Sequence, residues 1–425
     1  MTPRFSICIP ARDRPERLRW AIESVLAQTF EDFEVIVSDN ASGIPLRDSL
    51  ARVVDPRIRW IRRETLLPDS DHWEMLLRES TGEFTLLLAD DDGLVPSTLA
   101  HVHRLAQQTG AQCIQVGHWR YTHPLGHGPG ENCLFPKAFS GCVEQIDGRS
   151  MVLSLLSGWG IKVDEPLSAL ALPVLHSSGI FMGRQAIESL QKRGVPLCAN
   201  PFADVGFLNV VLEAGELVSL DLPLAIIGLD VASHLTHPVP GGRRHYDDCA
   251  GDMYWAPFRA ISFGNLGVAS HFDVLRHWPS LHVNAAQPLS STFYINHAAE
   301  LFDDKIRDGR TWKDLFELYV ALSRLPGREG ALIGLTIAHR GFSPSWLRRF
   351  VSRLLHPNAT PITPRFSPSW FRRQESRYLH ANTTPIKPPA AKAIAQPAAE
   401  LNPLDGAALG FADLVGAAQY MDMAH

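Results

Sequence analysis

The chain has 425 residues, 45% of them apolar and 20% charged, enough for one large domain with an appendage or two modest ones. Its formal net charge of −5 argues against a nucleic-acid binder. The average hides an asymmetry, because residues 340–388 carry nine Lys/Arg against one Glu, leaving the rest near −13. The six cysteines are widely spaced with no Cys-x-x-Cys pair, so they read as reduced, mostly buried thiols rather than a zinc site or redox dithiol. No N-terminal apolar core of a secretory signal and no run of ~18 apolar residues is present. The expected location is cytoplasmic, with peripheral contact at the inner membrane face as a further reading.

Phe5–Pro10 is a short apolar run ended by proline, as expected of a buried strand. Asp13-Arg14-Pro15-Glu16 then reads as a helix start capped by Asp13, with Leu18, Ala21, Ile22, Val25 and Leu26 on one stripe. A second strand, Phe33–Val37, runs into the turn formers Ser38–Gly43. Ile58–Ile61 reads as a third strand, the segment around Trp73–Leu77 as a helix, and Glu83–Leu88 as a fourth strand. Strand and helix alternate, which suits a parallel sheet. Ligands of such sheets bind beyond the carboxyl ends of the strands. Three polar clusters fall there: Ala11-Arg12-Asp13, Ser38-Asp39-Asn40 and Asp90-Asp91-Asp92.

Residues 118–150, rich in Gly, Pro, His and aromatics, read as loops or an insertion. Ser178–Gly183 reads as a strand, Gln185–Lys192 as a helix, Phe202–Asp204 as the start of another, and Leu217–Leu229 as a last strand region. Residues 245–335 read mainly as helix. Phe342–Arg349 recurs as Phe366–Arg373, a tandem of basic, Trp-bearing units that continues to Ile386. Residues 387–400 form a Pro/Ala linker, and Leu409–Met421 reads as a short amphipathic helix. The basic repeat fits an anionic membrane surface, a basic helix pair or a disordered tail.

Three adjacent aspartates are costly unless a cation offsets their repulsion, and Mg2+ or Mn2+ would bridge such carboxylates to a diphosphate. The alternative is a solvated acidic turn. Asp39 suits hydrogen bonding to a base or ribose, or an Asx-turn. Arg12 and Arg14 suit phosphate or plain surface positions. Asp204 suits a helix N-cap. His234 and His237 lie in a Ser/Thr/Pro loop.

Over residues 4–110 the order and spacing of Ser6–Arg14, Ala21–Thr29, Phe33–Ser42, Gly82-Glu83 and Leu87–Pro96 resemble family 2 glycosyltransferases of the GT-A fold. The Trp73 helix and Leu88–Asp92 resemble the abequosyltransferase-like subgroup. The resemblance implies an α/β GT-A domain with a mostly parallel sheet flanked by helices over 1–240. A helical extension (241–335), the basic repeat (336–390) and a linker with tail (391–425) would follow.

It further implies that Pro10, Ala11, Arg12 and Arg14 line a nucleotide pocket, that Asp39 meets the nucleobase, and that Asp90 lies near the ribose. Asp91, Asp92 and His234 would face a divalent metal. Asp204 would be the catalytic base, although Ala89 and Ala203 replace acidic residues of the family pattern. The implied activity is inverting transfer from a nucleotide-sugar donor (UDP-, dTDP- or similar) to a glycan, lipid-linked or other acceptor. A catalytically degenerate nucleotide-sugar or glycan binding module is the alternative.

Overall fold

The computed structural model describes residues 2–124, 132–163, 175–199, 202–229, 263–281 and 411–423, with short pieces between 289 and 332, at 404–405 and at 409. His234, His237, the tandem repeat and the Pro/Ala linker lie outside the described residues. The chain divides into two compact units. The first joins residues 1–152, 169–252 and 392–425; the second joins 153–168 and 253–391.

The first unit is built on an eleven-stranded sheet. Its parallel part has the order β3-β2-β1-β4, from β1 (Phe5–Ala11), β2 (Phe33–Asn40), β3 (Ile58–Arg63) and β4 (Phe84–Leu87). Both faces are covered, which explains the continuous apolar runs. Phe5, Ile7 and Ile9 pack on one face with Leu18, Ile22 and Val25 of α1 (Pro15–Leu26). On the other face the Cys8 thiol reaches the Leu76 carbonyl of α3 (Asp69–Arg78). Each fully buried Leu or Ile contributes about 1.5–3 kcal/mol relative to exposure.

Beyond β4 the sheet turns antiparallel. β9 (Ile180–Gly183) pairs with β4 and with β6 (Cys113–Thr122). β6 continues beside β7 (Cys133–Phe135), and β8 (Val143–Asp147) pairs with β10 (Glu216–Leu229). The described part of residues 118–150 combines loops with strand at 118–122, 133–135 and 143–147, and the sheet as a whole is mixed. β10 runs parallel to β6 with register shifts at Pro223, then pairs antiparallel with β5 (Gly93–Leu94). That bend carries its end, Gly228, to the turn after β4.

Helix α1 starts differently from the sequence expectation. Pro15 occupies the first turn, as its fixed φ favours, but Asp13 makes no cap. Asp13 instead holds φ 53 and accepts from the Gly43 N–H at 2.8 Å, while its own N–H donates to Ser42 Oγ at 2.9 Å. The loops after β1 and β2 are thereby tied together. Helices α2 (Leu46–Ser49) and α4 (Thr98–Thr109) follow β2 and β5. At the end of α1, the Gln28 amide donates to the Val95 carbonyl at 2.8 Å and accepts from the Leu99 N–H of α4 at 3.0 Å.

The described residues near the end of the chain pack on this unit as well. Helix α5 (Gly148–Gly158), α6 (Arg184–Arg193), α7 (Phe207–Ala214) and α8 (Phe263–Leu275) precede it. Then β11 (Leu404–Asp405) pairs with β7, and α9 (Leu414–Met423) buries Leu414, Ala417, Ala418 and Met421 against Trp20, Tyr121 and Ile226. Ser97 donates to Asp422, and Asn132 donates to the Phe411 carbonyl at 2.8 Å. In the second unit, α8 buries Val268 and Ala269, and its His271 ring lies 5.0 Å from the Trp159 ring. Among the described residues no helix is long and apolar enough to cross a membrane.

Candidate active site

Strands β2 and β4 flank β1, so the chain's winding reverses between β1 and β4. Such a switch point opens a crevice at the strand ends. Pairing of β1 with β4 stops at Cys8 and Leu87, and the Leu88 N–H still reaches the Cys8 carbonyl at 2.9 Å. Pro10 and Ala11 lie beyond that point, paired only with Ser38 and Asp39 of β2. Proline costs no ladder bond on that side.

Ala89–Asp92 closes a turn, with the Asp92 N–H donating to the Ala89 carbonyl at 3.1 Å. The three aspartates then part company. Asp90 is buried and takes Nε and Nη2 of Arg14 on its two oxygens. Burial and the neighbouring Asp91 push its pKa up, while the Arg14 guanidinium acts the other way. Asp92 turns under the loop: Oδ2 accepts from Ser178 Oγ, and Oδ1 from the Gly228 N–H at 2.8 Å. Burial first, and then Asp91, hold its carboxyl well above the usual range.

Asp91 is the most open of the three, its side chain 12% exposed. One oxygen meets Arg14 Nη1 at 3.3 Å, and Oδ1 has no hydrogen-bond partner among the described residues. The structure thus unites Arg14, Asp90 and Asp91 at the crevice. Asp92, expected to face a metal, instead directs one oxygen to Ser178 and the other to Gly228.

Arg12 is exposed and pairs with Asp13 at 3.3 Å, away from this cluster. Asp39 closes the loop after β2: Oδ1 accepts from the Ser42 N–H at 2.8 Å, and Oδ2 from the Leu46 N–H at 3.1 Å and Arg62 Nη1 at 2.5 Å. Burial would raise its pKa, but these hydrogen bonds outweigh it and hold the carboxyl low. This is the Asx-type alternative, and the oxygens expected to meet a nucleobase are already engaged.

Asp204 lies inside a 3-10 turn (Ala203–Gly206) whose N-cap is Phe202, so it is not the cap. It lines a narrow pocket with Leu87, Ser177, Met182, Cys198 and Phe207. Burial raises its pKa, against hydrogen bonds from its own N–H and that of Val205.

Sequence reasoning missed Ser178 as a partner of Asp92, Arg62 as a partner of Asp39, and His123. The His123 Nε2 donates to the Asp91 carbonyl at 2.7 Å, and its ring stacks on Trp20 at 5.5 Å and 6°. It also missed Gly228, for which a glycine inside a strand was the available signal.

A divalent metal fits this cluster in one way. Mg2+ and Mn2+ keep several waters and take one or two carboxylates together with substrate phosphates. Asp91 offers a carboxylate oxygen to the crevice, and Arg14 offers charge for an anion. No group of three His, Cys, Asp or Glu is arranged around a metal among the described residues. The remaining ligands would be phosphate oxygens and water.

Residues 6–137 match the family described as Glycosyl transferase family 2. A Campylobacter jejuni GalNAc(5)-diNAcBac-PP-undecaprenol beta-1,3-glucosyltransferase is 28% identical over 182 residues, which are 42% of this chain and 50% of that protein. The O-antigen biosynthesis protein RfbC of Myxococcus xanthus is 35% identical over 112 residues, 25% of this chain and 9% of that one. The chain thus spans half or less of the curated relatives it matches.

Among solved structures, S. aureus TarS 1–349 in complex with UDP-GlcNAc is 12% identical, with 75% of this chain and 79% of that chain covered at a TM-score of 0.43. The mannosyltransferase PcManGT from Pyrobaculum calidifontis, in complex with GDP-Man and Mn2+, is 12% identical, with 84% and 89% covered at a TM-score of 0.38. Residues 6–137, about the N-terminal third of the chain, are thus similar to glycosyl transferase family 2, and they carry the parallel strands of the α/β sheet described above.

Proposed function

We propose that the protein transfers a sugar from a nucleoside-diphosphate-sugar donor to an acceptor hydroxyl, with inversion at the anomeric carbon. The observation that carries this reading is the Asp91 carboxylate, shared with Arg14 and opening on the β1–β4 crevice of a family 2 domain. Asp91 would hold a divalent metal, which supplies charge neutralisation of the leaving diphosphate. Arg14 is placed to exchange part of its bond to Asp90 and Asp91 for the donor's phosphates. Asp90 keeps Arg14 aimed at the crevice. Pro10 and Ala11 form its apolar floor, and the loop tied by Asp39, Ser42 and Arg62 shapes its β2 side.

Asp204 is the candidate base: burial raises its pKa, which makes the ionised carboxylate a better proton acceptor. It would take the proton of the acceptor hydroxyl as oxygen attacks the anomeric carbon and the bond to the diphosphate breaks. The transition state would be oxocarbenium-like. A glycan or lipid-linked acceptor fits the undecaprenol-linked glycan in the name of the Campylobacter relative. The basic repeat at 340–388 would bring a lipid-linked acceptor's membrane surface close.

The test is incubation of the full chain with Mn2+ and a panel of nucleotide sugars, with released nucleotide and nucleotide affinity both measured. Asp204→Asn should keep nucleotide binding and lose transfer. Transfer that survives Asp204→Asn makes another residue the base, and failure to bind any nucleotide contradicts the reading.

A further inference from the structure

We infer that His123 is a positioning residue for Asp91, an inference that rests on the reading of Asp91 given above. A carbonyl oxygen only accepts, so the 2.7 Å contact from His123 Nε2 to the Asp91 carbonyl requires the proton on Nε2. The ring is fixed from several sides. Trp20 stacks on one face, and Tyr121 meets it edge-on at 5.3 Å and 77°. Gly228 lies so close that a Cβ there would stand 2.6 Å from Nε2.

Trp20 and Tyr121 are themselves packed against Phe411, Leu414 and Met421, so the C-terminal helix α9 forms the wall behind the histidine. On the far side of the same peptide, Ser178 and Gly228 hold the Asp92 carboxylate inward. The peptide joining Asp91 and Asp92 is therefore gripped at its carbonyl and through the next side chain. With the backbone fixed, the Asp91 carboxylate is aimed at Arg14 and the crevice, and Asp92 at the interior. His123 touches no reacting atom; it acts through the backbone of Asp91.

The test compares three full-length variants. His123→Phe keeps a ring against Trp20 and loses the donor. His123→Gln keeps an N–H of similar reach and loses the ring. Asp91→Ala is the reference. Mn2+ binding is read by electron paramagnetic resonance in the presence of UDP, GDP or dTDP in turn, with thermal unfolding alongside.

His123→Phe should weaken Mn2+ binding about tenfold, the size of one lost hydrogen bond, while His123→Gln stays within about threefold of wild type. Wild-type binding by His123→Phe overturns the inference, as does an equal loss in both variants. If Asp91→Ala binds Mn2+ like wild type, the reading of Asp91 fails, and the inference with it. Should His123→Phe not fold, the 15N spectrum of the wild-type histidines decides. A His123 Nε2–H tautomer supports the inference, and an Nδ1–H tautomer overturns it.

Discussion

Replacing Gly228 by alanine strikes the point where β10 meets the turn of aspartates. A Cβ there would stand 2.0 Å from the Asp91 carbonyl oxygen, 2.8 Å from the Asp91 carbonyl carbon and 2.6 Å from His123 Nε2. Two of these neighbours are backbone, and the third is a ring held by Trp20, so none yields cheaply. Overpacking of this kind costs about 1–3 kcal/mol. Pushing β10 away would also weaken the Gly228 N–H bond to buried Asp92, and a buried polar group left unpaired costs about 1–3 kcal/mol.

Gly228→Ala should therefore lose roughly 2–6 kcal/mol in urea unfolding and weaken Mn2+–nucleotide binding together. Gly158→Ala is the control. That glycine lies in α5 with nothing within 4 Å of a new Cβ, so it should be neutral or gain about 0.5–1 kcal/mol. A Gly228→Ala protein with wild-type stability and wild-type Mn2+ affinity would refute the close approach on which this account of the turn depends.

Other consequences follow from the same geometry. Leu414→Ala removes a fully buried side chain of α9 and should cost about 2–5 kcal/mol of stability; a negligible change would mean that this helix is not packed into the first unit. His72 is buried with Nε2 2.8 Å from Ser38 Oγ, and desolvation lowers its pKa to about 4. The unfolded chain takes up a proton below about pH 6.5 while the native ring does not, so stability should fall as pH drops from 6.5 towards 4. The loss from this group approaches ~3 kcal/mol at the low end, and His72→Gln should flatten that part of the profile. An unchanged profile would place the acid sensitivity elsewhere.

Much of the parallel half of the sheet was legible because each strand is an apolar run ended by turn formers, and both faces are buried. The same pattern located Asp39 and the aspartate turn. It did not tell apart three adjacent aspartates. Their roles depend on Arg14, Ser178 and Gly228, which are far away in sequence and adjacent only through the β1–β4 crevice and the bend of β10. Strands β6 to β8 were hidden because Gly, Pro, His and aromatics break the alternation between them.

Helix α9 was readable as an amphipathic segment. Its docking on Trp20 was not, since amphipathicity names a face and no partner. Asp204 was placed in a helical start correctly, but it sits inside a 3-10 turn with Phe202 as its cap, and its side chain lines a pocket.

The most direct measurement is turnover and Mn2+-dependent nucleotide binding by Asp91→Ala, with unfolding followed in parallel. Asp91 is the open carboxylate of the turn, so its removal should leave the fold intact, abolish sugar transfer and remove the Mn2+ dependence of nucleotide binding. An Asp91→Ala protein that still transfers sugar would contradict the assignment of this turn as the donor-diphosphate site.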